Sequence, residues 1–546
     1  MTLDSQLAVA VVVVGLAVGV GLALHRRDRE PLERALVALF PVALLVALGL
    51  TLVRMSAVPH RVFDAVRVAP AVALAQGHDL YHGPDEGPAL DFMYGPGTAI
   101  AFLPAALAST PTGVLWLAGL LTVLFGIGPV AWLHFQRAGA PRGGAAAVGL
   151  AALLCFWLLA FRDLGLRNAL FRVHADAPAL GLGAATLALL VAGRGSGEAP
   201  RDRQLIPAAL ATALALWTKQ TMAPLAVGVA LYLVLAFGVR CALRYALWLA
   251  VAGFALLIAF AWRFGADDLF FNMFTLPARQ PWYGEGGWYG GQVTGALPVL
   301  LDSTRTLLGQ LVLPSAAIAL LVAVGGTPEG GWRSWLRANP WVALLCVALP
   351  MAPLSIVGSV KVGGYFNVYA FTTYFLLAAA TLCARGAALN GGARTRRAGQ
   401  LVLLGSLLLL VVGSFTAPNA QALRQALARV GAPVESPLAR AFAYAQRHEG
   451  EVFFPWNPLL TLLSEGRLYH SLPGVWDRDL AGYRPAPELL RAHLPPRAQL
   501  AAVVKRGGAP GTVPPLPDYF PAFEELNPGP AELSGWTLYR VRDPAR

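Results

Sequence analysis

Apolar residues in this chain come in long, nearly unbroken runs, and polar residues come in short clusters between them. Twelve runs, near 7–24, 35–53, 112–135, 144–161, 175–193, 204–218, 221–239, 245–262, 306–325, 340–357, 366–384 and 398–415, read as membrane helices. A helix of about 18 to 20 apolar residues, rising about 1.5 Å per residue, crosses a hydrocarbon core of about 30 Å. The run at 204–218 is short for a crossing, and 97–108 is shorter still and reads as a helix lying at the outer surface. After Phe415 the pattern changes to a tail rich in Pro, Trp and charge. There 436–448 reads as a helix opened by Ser436-Pro437, and 451–454, 499–504 and 536–541 read as strands, with Pro-rich loops at 509–517 and 526–530.

The expected architecture is an α-helical polytopic membrane protein of about twelve transmembrane helices in three parts. Residues 1–34 form an N-terminal anchor span and a basic inner loop, 35–415 a transmembrane domain with a large first outer loop at 54–111, and 416–546 a small C-terminal extracytoplasmic α/β domain. Orientation follows from arginine and lysine, which stay on the cytoplasmic side of short loops. The six loops assigned inside hold 17 Arg in 60 residues, against 11 Lys plus Arg in 124 residues of the five outer segments. Both termini therefore face outward, and the first span, with Asp4 before it and His25-Arg26-Arg27 after it, reads as a retained anchor.

Composition agrees: 56% of the 546 residues are apolar, 13% are charged and mean hydropathy is +0.58. The net charge of +12 is spread over many short loops and forms no single stripe. It marks topology and anionic lipid, and no nucleic-acid partner is expected. Four cysteines, none in an outer region, exclude a disulfide framework there, and no zinc, P-loop or dinucleotide fingerprint is present.

The interiors of spans 35–53, 144–161, 204–218, 221–239 and those from 306 to 415 contain no Asp, Glu, Lys or Arg. Ion-coupled transporters place such groups at mid-membrane depth. Here they gather at the outer ends: Asp64, Arg167, Arg172, His174, Asp176, Lys219 and Lys361. That placement suits a reaction at the outer face on a lipid-linked substrate. Only Lys219, Lys361 and Lys505 occur in a chain that otherwise uses Arg, and the first two lie at this outer edge. Each is a compact cation suited to phosphate, or alternatively a side chain snorkelling at a helix end. Between spans, Trp282-Tyr283-Gly284 and Trp288-Tyr289-Gly290 repeat an aromatic-glycine unit. This reads as an interfacial anchor, or more sharply as a lid in which Trp282 and Trp288 order over substrate.

Phe63-Asp64 after a span, Gly77-His78-Asp79-Leu80-Tyr81, the run Tyr94-Gly95-Pro96-Gly97 to Pro104, Arg172-Val173-His174-Ala175-Asp176 and Thr218-Lys219-Gln220-Thr221 together resemble the GT-C membrane glycosyltransferases. These use polyprenyl-phosphate sugars, and the likeness is to the mannosyltransferase-like, arabinofuranosyl- and protein-O-mannosyl-like branches. It covers roughly 35–546 in architecture. The extra N-terminal span, and Gly95 where such proteins often carry a second proline, are departures.

The resemblance implies an inverting hexosyl- or pentosyltransferase that moves a sugar from a polyprenyl-phosphate donor to a hydroxyl of a glycan, lipid or protein acceptor. A carboxylate must take the hydroxyl proton. Asp64 is the first candidate, with helix capping or pairing to Arg61 or Arg67 as its plainer role. Asp91 is the second, with a loop or turn acid as the alternative, and Asp79 reads as turn chemistry. Arg172, Lys219 and Lys361 are candidates for the donor phosphate, Arg172 alternatively pairing with Asp163 or Asp176. His174 and Asp176 are candidate substrate-binding residues, Asp176 orienting His174 or capping its helix. Two residues apart on a helix they do not share a face, which argues against a two-ligand metal site. No metal or other cofactor is required, though Asp64 with another outer acid would admit a divalent ion. A lipid or polysaccharide flippase, or a non-catalytic membrane scaffold, are the alternative functions. The Arg-, Ala- and Gly-rich usage points to a bacterial plasma membrane.

Overall fold

The computed structural model describes residues 31–136, 143–192, 198–282, 296–325, 331–364, 366–431, 436–504, 520 and 522–542. The expected first span at 7–24 and Trp288 lie outside the described residues. The other eleven apolar runs are all helical. In chain order the principal helices are α1 (Pro31–Ser56), α2 (Val62–Ala75), α3 (Pro96–Phe102), α4 (Pro111–Phe135), α5 (Gly143–Arg162), the short α6 (Leu164–Leu170) and α7 (Asp176–Val191). They continue as α8 (Asp202–Thr218), α9 (Ala223–Phe237), α10 (Val239–Phe264), α11 (Ala296–Gly325), α12 (Trp341–Ser359), α13 (Ala370–Asn390) and α14 (Ala393–Val412). Among the described residues, nine helices are long and apolar enough to cross a membrane. The expected spans at 175–193 and 204–218 are the shorter α7 and α8, of 16 and 17 residues.

Local chemistry sets several helix starts. Thr110 caps α4 by accepting from the Gly113 N–H at 3.2 Å, with Pro111 in the first turn, and Asp163 caps α6 through the Leu166 N–H at 2.7 Å. Helix α13 sits at the centre of the bundle and is buried almost throughout, whereas α10 and α11 turn most of their apolar side chains outward, as a lipid-facing surface does.

The tail continues as α15 (Ala417–Gly431), α16 (Pro437–Arg447), α17 (Pro458–Glu465), α18 (Leu472–Leu480) and α19 (Pro487–Ala492) around a four-stranded sheet. Its strands are β1 (Val452–Phe453), β2 (Leu500–Val504), β3 (Ala522–Glu525) and β4 (Trp536–Arg542), in the order β1-β2-β4-β3. β1 runs parallel to β2, pairing Val452 with Leu500, and β4 runs antiparallel to both β2 and β3. The expected α16, β1, β2 and β4 are present.

The tail is not a separate lobe. One apolar core joins α2, α3 and the outer parts of α4 and α10 to α16, α17 and the sheet. A second core receives Phe63 of α2 beside Trp456 and Trp476, the Phe63 ring lying edge-on to Trp456 at 5.3 Å. The segment read as an outer loop is thus largely helical and built into the C-terminal domain.

Candidate active site

Two close approaches position the outer segment. A Cβ on Gly95 would lie 1.8 Å from the Trp217 carbonyl oxygen, and one on Gly97 would lie 2.5 Å from Thr218 Oγ1. The end of α8 therefore fits against the start of α3 only because both positions are glycine, and proline at 95 would collide. Thr98 Oγ1 donates to the Thr218 carbonyl at 2.7 Å. This docking brings Tyr94 beside Lys219.

Around them lies a closed polar network. Asp176, fully buried at the start of α7, accepts from Lys219 Nζ through Oδ1 and from Asn367 Nδ2 through Oδ2 at 2.6 Å. His174 Nδ1 donates to the same Oδ2 at 2.8 Å, which leaves Nε2 to accept from the Tyr94 hydroxyl at 2.9 Å. Lys219 Nζ also faces the rings of Phe371 and Tyr94, 5.0 and 5.3 Å from their centroids. Burial pulls His174 down to about 3, so the ring is neutral, and burial pushes the Tyr94 phenol up. His174 and Asp176 meet although they are two residues apart. The chain reaches Asp176 through a non-helical stretch at Phe171–Ala175, so the helical-face argument does not apply to them.

Asp64 stands in contrast. It is 1% exposed, lies in the first turn of α2, and neither carboxylate oxygen makes a well-formed hydrogen bond. Arg61 Nη1 lies 3.7 Å from it, with Arg67, Arg172 and the Val173 amide also near. Burial wins over these cations and pushes the carboxyl up to about 6. It does not cap its helix. Arg61 Nη1 donates to the Phe171 carbonyl at 2.8 Å, which fixes α2 to the stretch carrying Arg172 and His174. Arg54 and Arg167 face Arg61 and Arg172, so four guanidiniums gather here. Among the described residues, Arg54, Arg67, Arg167 and Arg172 have no carboxylate within ion-pair distance, and Arg67 Nε is buried without a hydrogen-bond partner. The alternative pairing of Arg172 with Asp163 or Asp176 is not formed, since those acids serve α6 and Lys219.

The C-terminal tail packs against the segment that carries Asp91. A Cβ on Gly474 would lie 2.3 Å from the Leu90 carbonyl carbon, so α18 rests directly on the backbone before Asp91. The Asp91 N–H donates to Ser471 Oγ at 3.0 Å, and the Asp91 and Asp477 carboxyls hydrogen-bond to each other. Two carboxyls so placed share a proton: burial raises Asp91 against Arg67 and the hydrogen bond with Asp477, while burial, repulsion from Asp91 and the shared hydrogen bond raise Asp477 well above the ordinary carboxylate range against Arg67. Arg478 clamps the same segment, donating to the carbonyls of His82, Pro84 and Glu86 at 3.1, 3.2 and 2.7 Å.

Lys361 takes a different place from the one expected of a phosphate ligand. Its Nζ donates to the carbonyls of Ala278, Gln280 and Pro277 at 2.8, 2.9 and 3.4 Å and lies 4.7 Å from the Trp282 ring centroid. The ammonium is committed to capping the short helix Leu276–Arg279, and Trp282 packs on it. Asp79 is exposed and accepts from Arg263 at 3.1 Å, as a surface turn acid would. No group of three or more His, Cys, Asp or Glu arranged to hold a metal is present among the described residues.

The structure thus brings together Asp64, Asp91, Arg172, His174, Asp176 and Lys219 and leaves Lys361 at one remove, behind Gln280, which donates to the Asp477 carbonyl at 2.9 Å. Sequence reading missed Arg67 and Asp477 as site residues. Arg67 had a signal, since three residues after Asp64 it shares that helix face. Asp477 had none.

No protein-family model and no curated protein matches the chain. Two solved structures of ArnT from Cupriavidus metallidurans are similar. The one bound to undecaprenyl phosphate has 14% identity and a TM-score of 0.52, covering 91% of this chain and 97% of that one. The apo state has 15% identity and a TM-score of 0.49, covering 85% and 92%. The fold is therefore that of a known multi-pass membrane protein, the GT-C-like architecture that the motifs imply.

Proposed function

We propose that this chain, sharing its fold with a protein captured with undecaprenyl phosphate, uses its outer pocket on a ligand of that class. It transfers a sugar, hexose or pentose, from a polyprenyl-phosphate donor to an acceptor hydroxyl of a glycan, lipid or protein. The reaction takes place at the outer face of a bacterial plasma membrane, with both termini outside.

One observation carries the reading: a buried carboxylate without well-formed hydrogen bonds, ringed by arginines that have more positive charge than their acids neutralise. Buried polar groups are ordinarily satisfied, so such a group marks a place where a substrate completes the bonding. Asp64 accepts the proton of the acceptor hydroxyl as its oxygen bonds to the anomeric carbon. The anomeric carbon–oxygen bond to phosphate breaks, and the lipid phosphate leaves with the electron pair. Arg61, Arg67 and Arg172 offset the charge that develops on it. An acid held at about 6 is largely ionised at neutral pH and is still a stronger base than an ordinary carboxylate. As proposed, no metal or cofactor takes part.

The other residues take supporting roles. Asp176, His174 and Lys219 hold Tyr94 against the pocket, and Asp91 with Asp477 lines the side made by the C-terminal domain. The three-part division of the chain remains our proposal, with 416–546 acting as a wall of the site.

The test is consumption of labelled polyprenyl-phosphate sugars, offered with glycan, lipid and protein acceptors, by membranes holding equal amounts of wild type or Asp64→Asn. One donor consumed by wild type, and consumed about 10² to 10⁴ times more slowly by the variant, is expected. Equal rates would move the base to another residue. No consumption of any donor would remove the transferase reading and leave the flippase and scaffold.

A further inference from the structure

The end of the membrane bundle away from Asp64 holds a second set of buried polar groups that the proposed reaction does not use. Helix α13 begins at Ala370, just after the Asn367 that holds Asp176, and Arg385 lies near its other end. At about 1.5 Å per residue, Arg385 is about 22 Å along the helix from that network. It is 8% exposed, and its Nε is buried without a hydrogen-bond partner. Among the described residues no acid lies near enough to offset its charge.

Three neighbouring side chains share this condition. His134, 0% exposed near the end of α4, faces Arg385. Its Nδ1 donates to the Val130 carbonyl at 2.8 Å, which leaves Nε2 buried and unpartnered. Gln136, which ends the same helix, has both amide atoms buried without partners, and Gln400 of α14, 3% exposed, has its Oε1 in the same state. The helices converge at this level. A Cβ on Gly149 of α5 would lie 3.6 Å from both Arg385 Nε and the His134 carbonyl oxygen, so α5 passes beside the two. A Cβ on Gly399 would lie 2.6 Å from the Ala388 nitrogen and 2.8 Å from the Ala384 carbonyl oxygen, so α14 presses on α13 at Arg385, and Gln400 is the next residue.

Water satisfies a ring nitrogen or an amide, but it leaves a buried guanidinium without a counter-charge, and buried charges are ordinarily paired. The arginine calls for an anion. The lone pair of His134 Nε2 and the carbonyl ends of the glutamines call for hydroxyl donors. One chemistry meets both demands, a phosphate that also carries hydroxyl groups. Chloride brings no donor, and a phosphocholine head brings a cation and no hydroxyl. The exposed Arg394 and Arg397 at the start of α14 add positive charge at the rim, which draws an anionic head group.

We infer that Arg385, His134, Gln136 and Gln400 form a binding site for a hydroxyl-bearing phosphate, either the head of an anionic lipid such as phosphatidylglycerol or a free phosphate ion. The inference stands apart from the proposed reaction, since it uses neither Asp64 nor the donor.

The full chain, stripped of lipid in a neutral detergent, provides the test, with phosphatidylglycerol and inorganic phosphate as separate probes. Titrating the thermal transition with each probe gives its apparent Kd. Arg385→Met should weaken the probe that occupies the site about ten- to a hundredfold, the effect of losing charged hydrogen bonds. Gln400→Leu, which keeps the charge, should weaken the same probe about three- to tenfold. Weakening confined to phosphatidylglycerol assigns the site to a lipid head, and weakening for inorganic phosphate admits the free ion. Affinities for both probes left unchanged by Gln400→Leu and by Arg385→Met would overturn the inference and leave these groups to water. Should Arg385→Met fail to fold, the Gln400→Leu result decides alone. Wild-type binding of phosphatidylcholine as tight as that of phosphatidylglycerol, together with chloride acting as well as phosphate, would overturn it too, by removing the demand for hydroxyl and phosphate.

Discussion

Asp64 and Asp176 are both buried acids in the first turns of helices, and both were candidates on sequence grounds, yet their surroundings are opposite. Asp176 has a lysine, an asparagine amide and a neutral imidazole on its two oxygens. Asp64 has cations nearby and no well-formed hydrogen bond. The first is a completed structure whose parts hold one another in place. The second is an incomplete one, and incompleteness in a buried charged group is costly unless a ligand or a proton resolves it. On our proposal the difference separates scaffold from chemistry more sharply than residue type or position could.

If that contrast is right, neutralising the two acids has opposite consequences for stability. Asp176→Asn leaves the Lys219 ammonium buried without its counter-charge, so it should cost about 3 to 5 kcal/mol, read as loss of the thermal transition in detergent. Adding Lys219→Met should recover much of that loss. Asp64→Asn should leave the transition where it is or raise it, since it removes a charge that burial disfavours. A stability loss at Asp64 as large as that at Asp176 would erase the contrast.

The next largest effect is at the arginines. Arg172→Gln removes a charged donor from the charge that develops on the leaving phosphate, and should lower kcat/KM about ten- to a hundredfold, with kcat falling as well. A kcat/KM left unchanged would take Arg172 out of the phosphate site. The pH profile sharpens the Asp64 side further. Its carboxyl must lose a proton to act as base, so kcat/KM should climb as pH rises through about 6 and level off above. A profile that is flat from pH 5 to 8 would be incompatible with this base.

The smallest expected effect is at the Asp91–Asp477 pair. The folded chain keeps a proton that the unfolded chain releases in the ordinary carboxylate range, because both folded values are raised. Stability from this pair is therefore full at low pH and lost as pH rises through the raised values. Asp477→Asn should flatten the alkaline side of the stability profile by about 1 kcal/mol, the size of a single carboxyl hydrogen bond. An identical slope in the variant would show that the pair does not share a proton.

How much of this was legible depended on whether the deciding physics was local. The nine long described spans were, because a lipid-crossing helix must be apolar along its whole length, while the runs at 175–193 and 204–218 gave helices of 16 and 17 residues. So were β2 and β4, as runs of Val, Leu and aromatic residues between turn signals. Helix α2 was not, because fourteen residues that include Asp64, Arg67 and Pro70 neither cross a membrane nor show a clean amphipathic stripe. Strand β3 is exposed at all four residues and leaves no hydrophobic alternation to read. At the site, Asp64 stood out because an acid at the end of a span is rare. The fate of Lys361 was hidden, since three backbone carbonyls that attract an ammonium have no sequence signature. Asp477 was hidden for a different reason: its neighbour Ser471 bonds across 380 residues to Asp91.

The clamp of Arg478 on the His82, Pro84 and Glu86 carbonyls sets a timetable for biogenesis. Arg478 leaves the ribosome 396 residues after His82, which at typical synthesis rates is roughly 20 to 80 s later. For that interval the His82, Pro84 and Glu86 carbonyls lack this partner, while most of the membrane domain is still being made. The contacts of α18 with this segment can form only after the tail has been made. A chain stalled or cleaved before α18 would have every described helix of its membrane domain and an unfinished candidate site, so on our proposal the order of synthesis itself withholds the reaction from an incomplete chain.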